Sequence, residues 1–188
     1  MQQIDFLKTA LKDFKVGAIT ASSKYAVKRI VKEIPPVCRS VIEYGAGDGI
    51  ITKKILDKLP TDGKIIAVEL NHGFLGKLRE IKDARLEVSA NDVAVFSKNL
   101  ADANPSQTEA VISGVPFTFL KPRVRGEIIR ATYDLLVPGG IFIVYQYSTL
   151  ILPELKKYFP EIKIMFEPRN LPPYFIMKAL KGKAGAFI

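Results

Sequence analysis

Short apolar runs alternate with helix-period segments along most of the chain, and this alternation predicts a βαβ series. Residues 2–15 put Ile4, Leu7, Leu11 and Phe14 on one helical side, with Lys8, Lys12 and Lys15 on its flanks. Val16-Gly17 interrupts that helix. Ser22-Ser23 then offers an N-cap for a second amphipathic helix to about Glu33, which Pro35-Pro36 stops. Apolar runs at 40–44, 64–70, 85–89, 108–113 and 141–147 read as strands, with helices ending near 59, over 73–81 and over 123–136 between them. A short helix at 152–158 precedes two last strands, 162–166 and 174–180, joined closely enough for a hairpin. Five βα units closed by a hairpin predict an α/β fold with a mostly parallel seven-stranded sheet and an antiparallel C-terminal hairpin. The expected organisation is one domain over 1–188, made of an N-terminal helical segment (1–34), a core (40–180) and a tail (181–188).

Composition narrows the class. The 188 residues are 48% hydrophobic and 25% charged, a globular balance with room for one core. The longest apolar stretch, 140–152, is too short to span a bilayer, and the polar start of the chain does not read as a secretory signal. The single cysteine, Cys38, excludes an internal disulfide and suits a reducing cytoplasm; Cys38 and His72 alone build no zinc site, so no metal is expected. A net charge of +9 attracts polyanions, either nucleic-acid phosphates or anionic lipid headgroups, although a lysine-rich surface without a partner gives the same count.

The chemistry concentrates at Glu43-Tyr44-Gly45-Ala46-Gly47-Asp48-Gly49, between the first strand and its helix. Gly45, Gly47 and Gly49 allow a tight turn and close approach of a ligand. Their G-x-G-x-G spacing departs from the dinucleotide pattern G-x-G-x-x-G, and Asp48 brings negative charge where a phosphate would sit. A ligand carrying sulfonium and ammonium groups suits the loop better. Glu69, at the end of the second strand, is placed to accept hydrogen bonds from two ribose hydroxyls, or simply to close the strand. Asn91 and Asp92 follow the third strand, where they read as adenine contacts or as a helix N-cap.

This set, in register with five strands, resembles the class I S-adenosylmethionine-dependent methyltransferases over residues 41–180, a Rossmann-like fold. The resemblance implies S-adenosylmethionine as cofactor, with Gly45, Gly47 and Gly49 on its methionine and ribose part, Glu43 ordering the loop at the methionine end, Glu69 on the ribose and Asp92 on the adenine. Three further segments resemble a narrower family, the bacterial-type phospholipid N-methyltransferases: Val16 to Ser23, Ser113-Gly114-Val115-Pro116-Phe117, and Arg169-Asn170-Leu171-Pro172-Pro173. Ala21 stands where that family usually has proline. The related ribosomal RNA adenine dimethylases carry Asn-Leu-Pro-Tyr after the fourth strand and an added helical domain; Ser113 replaces that asparagine here.

The narrower resemblance implies stepwise methylation of phosphatidylethanolamine towards phosphatidylcholine by a cytoplasmic, peripherally membrane-associated enzyme. Its partners would be the phospholipid and an anionic membrane surface met by the N-terminal helix, whose apolar stripe otherwise packs on the core. Tyr25, Ser113, Phe117 and Tyr147 are the expected residues around the amine, with Tyr25 relaying its proton and the aromatic rings holding the methylated cation. Arg169 is the expected holder of the lipid phosphate, and Tyr174 contributes a ring to the substrate wall. For Tyr25 and Tyr147 plain packing is the competing expectation. An RNA methyltransferase remains the second reading and a non-catalytic S-adenosylmethionine- or membrane-binding module the third. A monomer is expected.

Overall fold

The computed structural model describes residues 22–183, so the expected helix at 2–15 and the end of the tail lie outside the described residues. Helix α1 (Lys24–Lys32) begins where Ser23 accepts a hydrogen bond from the Ala26 amide through its side chain, and buries Ala26, Val27 and Ile30. Strand β1 (Ser40–Tyr44) follows, then α2 (Ile50–Leu56), β2 (Lys64–Val68), α3 (His72–Arg79) and β3 (Leu86–Ser89). Next come α4 (Val93–Ala103), β4 (Thr108–Ser113), a 3-10 turn (Phe117–Phe119), α5 (Pro122–Leu135) and β5 (Leu136–Gln146). A single turn, α6 (Leu152–Leu155), leads to β6 (Glu161–Glu167) and β7 (Tyr174–Leu180).

The seven strands form one sheet in the order β3-β2-β1-β4-β5-β7-β6. Strands β1 to β5 run parallel, while β7 pairs antiparallel with both β5 and β6. The hairpin therefore inserts its second strand beside β5 and leaves β6 at the edge, with Glu161 and Lys163 exposed along it. Central strands β1 and β4 are almost wholly buried because helices cover both faces of the sheet. On one face, Ile30 and Ile34 join Ile51 and Ile55 of α2 over Val41, Ile112 and Ile143. On the other, Ile128, Ile129 and Leu135 of α5 cover Ile42, Val111 and Phe142.

Two elements differ from the expected pattern. Helix α4 has no counterpart in it: only Ser97 and Ala101 are buried, while Val93, Phe96 and Leu100 pack part-buried against the core, and its N-cap Asp92 is the clearest sign of it in the sequence. Strand β5 begins at Leu136, earlier than expected. It runs through Pro138-Gly139-Gly140 with a register shift opposite Thr108 and Ala110.

Candidate active site

The strand order turns back between β1 and β4, and open α/β sheets bind ligands at the carboxyl ends of strands beside such a reversal. The loops after β1, β2 and β4 are laced together there. The amides of Gly45 and Gly114 donate to the carbonyls of Val68 and Tyr44 at 2.8 and 2.9 Å, and the Glu69 amide donates to Ser89 at 3.0 Å. They enclose a cleft of about 980 Å³, open mouth included, lined by Gly45, Gly47, Glu69, Asn91, Asp92 and Gly114 with apolar walls from Phe74, Val93 and Leu120.

Glu69 is the organising side chain. One carboxylate oxygen accepts from the Gly47 amide at 2.8 Å, and the other accepts from the Leu70 and Asn71 amides at 2.9 and 2.8 Å. Three backbone donors thus fix the carboxylate at the cleft wall, and the oxygen that accepts from Gly47 keeps one lone pair for a ligand hydroxyl. Asp92 caps α4, accepting from Ala94 and Val95, and also lines the cleft. Asn91 donates to the Ser89 hydroxyl at 2.8 Å.

Two residues of the glycine loop stand away from the lining. Gly49 has φ +82° and begins α2, and a Cβ there would lie 2.9 Å from Ile81 and 3.1 Å from Leu78. Its place is required by the packing of α2 on α3. Glu43 lies behind the loop on the α2 face of β1, wholly buried, and accepts from the Thr52 hydroxyl at 2.5 Å. Its other carboxylate oxygen has no hydrogen-bond partner among the described residues. Burial pushes the Glu43 carboxyl up to about 8.

The chemistry of the lining fits S-adenosylmethionine. Two carboxylates, Glu69 and Asp92, and amide side chains face the cleft, and among the described lining residues there is neither Lys nor Arg, in a chain of net charge +9. That charge balance suits a cationic adenosyl ligand and disfavours a pyrophosphate. No group of three or more His, Cys, Asp and Glu side chains among the described residues could hold a metal ion.

The expected acceptor residues divide into two sets. Ser113 and Phe117 are fully buried; Ser113 accepts from the Val115 amide and Phe117 packs among the α5-side core. They shape the floor of the Gly114 loop. Tyr147 and Tyr174 stack with ring centres 5.1 Å apart, and Tyr145 joins them at 5.6 Å from Tyr174. Tyr145 is a residue the sequence reading missed. Its hydroxyl presses so closely on Gly114 that a Cβ there would lie 2.3 Å from it, which joins the tyrosine cluster to the cleft. Burial, and after it the negative charge of Glu43, pushes the Tyr145 phenol well up, so it stays protonated. Because side chains alternate along a strand, Tyr145 and Tyr147 share a face of the chain, and that period could have found it.

Arg169 and Tyr25 sit at the outer side of this cluster. The Arg169 guanidinium lies 4.4 Å from the Tyr25 ring centre and forms two hydrogen bonds to Glu167, at 2.7 and 2.9 Å. Arg29 of α1 reaches the same carboxylate at 3.3 Å. The Arg169 hydrogen bonds hold Glu167 down at about 2. Asn170 is nearly fully buried; it accepts from the Ser23 amide at 2.8 Å and donates to the Pro172 carbonyl at 2.7 Å. The Arg169-to-Pro173 segment thereby clamps the first turn of α1 over the tyrosines, and the Ser22 hydroxyl lies 3.5 Å from that of Tyr174.

No family model matches the chain. An ornithine lipid N-methyltransferase of Singulisphaera acidiphila is 32% identical over 177 residues, covering 90% of this chain and 92% of that protein. A ribosomal RNA small subunit methyltransferase A of Burkholderia lata is 27% identical over 99 residues, 51% of this chain and 36% of its own length. Among solved structures, the 1,6-didemethyltoxoflavin-N1-methyltransferase of Burkholderia thailandensis, with S-adenosylhomocysteine bound, superposes with a TM-score of 0.72 at 16% identity over 96% of this chain and 87% of its own. The N-methyltransferase NodS of Bradyrhizobium japonicum, also with S-adenosylhomocysteine, gives 0.67 at 12% identity over 82% and 83%. With its seven-stranded sheet and its end-to-end likeness to the Singulisphaera enzyme, this chain belongs to the class I S-adenosylmethionine-dependent methyltransferases, in the family of the ornithine lipid N-methyltransferase, and S-adenosylmethionine is its methyl donor.

Proposed function

We propose that the protein N-methylates the amine headgroup of a membrane lipid. The observation that carries this reading is the cluster of Tyr145, Tyr174 and Tyr147, joined to the cofactor cleft through the Tyr145 hydroxyl over Gly114. Tyrosine faces attract an alkylammonium and hold it better as methyls replace its N–H groups. The end-to-end relative named for an ornithine lipid supports a lipid amine as acceptor and puts ornithine lipid beside phosphatidylethanolamine as the headgroup to test.

When bound, S-adenosylmethionine supplies an electrophilic methyl on a sulfonium centre. Glu69, anchored by three amides, meets the ribose with its remaining lone pair, and Asp92 with Asn91 meets the adenine end. Gly45 and Gly47 let the backbone approach the methionine end, with Glu43 behind the loop and Gly49 setting the start of α2. The amine must lose one proton so that its lone pair can form the N–C bond. Tyr25, exposed at the rim, passes that proton to water. Tyr145 and the Ser113–Phe117 loop fix the approach line, since in-line positioning supplies much of the rate. Arg169, held by Glu167, offers its outer face to the anionic group of the lipid.

The test is incubation with methyl-labelled S-adenosylmethionine and vesicles of ornithine lipid, of phosphatidylethanolamine, or structured RNA alone. Label in either aminolipid supports the reading, and label only in RNA overturns it. As an internal control, Glu69→Ala should weaken S-adenosylhomocysteine binding at least tenfold by calorimetry, on the order of 1.5–3 kcal/mol for hydrogen bonds to a charged group. Unchanged affinity would sink the ribose assignment.

A further inference from the structure

Gln146 ends β5, and at 5% exposure its amide is nearly as buried as the apolar run from Ile141 to Val144 before it. Its Nε2 donates to the Ser148 carbonyl at 2.8 Å, which fixes which way round the amide lies, because the reverse would set two carbonyl oxygens against each other. Oε1 is then left buried with no hydrogen-bond partner among the described residues. A buried carbonyl without a donor is costly, and an apolar side chain of similar size would fill the space without that cost. The position adjoins the cleft. Strands β4 and β5 run in register from Ala110 with Ile141 to Ser113 with Val144, so two residues further on Gln146 stands level with Val115, which lines the cleft. Val144 belongs with Val115 and Phe117 to the α5-side core, and by alternation Gln146 lies on that side while Tyr145 and Tyr147 lie on the other. The Ser148 hydroxyl meets that of Thr118 at 3.1 Å, so the turn that Gln146 holds closes against the loop after Gly114. Tyr145 and Gln146 thus stand on the two sides of the strand end, beside that loop.

We infer that Gln146 is a substrate-binding residue whose Oε1 accepts a hydrogen bond from an N–H of the acceptor amine. This role rests on the lipid-amine reading and gives that site a preference among its acceptors. The tyrosine faces hold any alkylammonium, and hold it better as methyls accumulate. A carbonyl acceptor acts in the opposite sense, since every methyl transferred replaces one N–H. In the neutral, attacking amine the unmethylated nitrogen keeps two N–H groups, the monomethylated nitrogen one and the dimethylated nitrogen none. Gln146 therefore orients the nitrogen lone pair for the first and second transfers and not for a third. A site built to receive that hydrogen bond discriminates against an acceptor that cannot make it, because the buried carbonyl is left unpaired. Gln146 takes no proton. The amine proton leaves before attack, the nitrogen pair forms the N–C bond, and the S–C bond breaks with its electrons on sulfur; the amide carbonyl only accepts a hydrogen bond.

The probes are phosphatidylethanolamine with its N-methyl and N,N-dimethyl forms, and ornithine lipid with its own, each dispersed in detergent micelles with methyl-labelled S-adenosylmethionine. Gln146→Met fills the space without an acceptor. It should lower kcat/KM about tenfold or more for the unmethylated and monomethylated lipids, and less than about twofold for the dimethylated lipid. The fully methylated lipids carry no N–H, so their inhibition constants as competitors should agree between variant and wild type within about twofold. Gln146→Glu keeps an acceptor and loses the donor to Ser148, and it should retain the preference for acceptors that carry N–H. Thr118→Val removes the contact with Ser148 and should leave the ratios between acceptors as they are. S-adenosylhomocysteine affinity should match the wild type in all three variants. If Gln146→Met does not fold, Gln146→Leu gives the same comparison. A fall with Gln146→Met that is equal for all acceptors, or the same change of ratio with Thr118→Val, overturns the inference and leaves Gln146 as a support of the Ser148 turn. A wild type that labels the aminolipids while Gln146→Met changes nothing overturns this inference alone. A wild type that labels no aminolipid overturns the lipid-amine reading and the inference with it.

Discussion

Glu43 carries its carboxyl on the face of β1 that α2 covers, hydrogen-bonded to Thr52 and otherwise enclosed by apolar side chains. Burial raises it from an ordinary 4.5 to about 8, so the folded chain keeps a proton that the unfolded chain has already lost over that interval. Linkage fixes the sign: stability contributed by the neutral carboxyl is full below the unfolded value, declines as pH rises towards the folded value, and is level above it. The cofactor-free protein should thus melt at lower temperature at pH 8 than at about pH 5. Glu43→Gln keeps an acceptor for Thr52 and removes the titration, so its melting temperature should match the wild type at the acid end and exceed it at pH 8. Parallel curves for the two proteins in scanning calorimetry would show that Glu43 is not the titrating group. At this scale Gly45, Gly47, Glu69, Asn91 and Asp92 were legible because they stand at strand ends, where loops carry chemistry, and the structure brings all five to one cleft. Glu43 and Gly49 belong to the same motif yet do not line the cleft; the alternation of β1 turns one towards α2, and the contact with Ile81 occupies the other. Tyr145 shares a strand face with Tyr147, yet a tyrosine inside an apolar strand reads as core until the bare Gly114 beside its hydroxyl is known.

At the scale of elements, the limits of β1 and β4 could be read because β-branched runs stop sharply at polar or glycine residues. Helix α4 went unread although Val93, Phe96, Leu100 and Ala101 recur at helical spacing and pack on the core, and the placement of β7 between β5 and β6 leaves no trace in local pattern. What pattern could not supply either is the reason for the Arg169-to-Pro173 segment, which serves as a clasp between the hairpin and α1. Asn170 holds the Ser23 amide, and Glu167 accepts from Arg29 and Arg169 together. Asn170→Ala leaves the Ser23 N–H without its acceptor and should cost about 1–3 kcal/mol, seen as a lower melting temperature. The cleft is built from loops after β1 to β4 and does not include the clasp, so S-adenosylhomocysteine affinity should be unchanged while methylation of aminolipid falls. A parallel drop in cofactor affinity would mean that the clasp also supports the cofactor loops.

Across the whole molecule, charge is divided between two regions. The net charge of +9 raised the expectation of an anionic partner, but composition has no direction and could not say that the cofactor cleft is spared. Among its described lining residues the ionisable side chains are Glu69 and Asp92, enclosed by loop backbone and by Phe74, Val93 and Leu120. Lys24, Lys28 and Lys32 of α1 and Lys53 and Lys54 of α2 instead face solvent. Salt should separate the two. Exposed charges are screened over a Debye length that shrinks from about 10 Å at 0.1 M to about 3 Å at 1 M, whereas hydrogen bonds from an enclosed, amide-anchored carboxylate are little affected. Raising potassium chloride from about 0.05 to 0.5 M should lower association with anionic vesicles more than tenfold and change S-adenosylhomocysteine affinity by less than about twofold. Turnover on vesicle-borne aminolipid would then fall with salt through the apparent KM, with kcat held at saturating lipid, because screening slows arrival at the surface and leaves the methyl-transfer geometry intact. A matching fall in cofactor affinity would show that the cleft feels the lysine field after all, and that the two regions are coupled rather than divided.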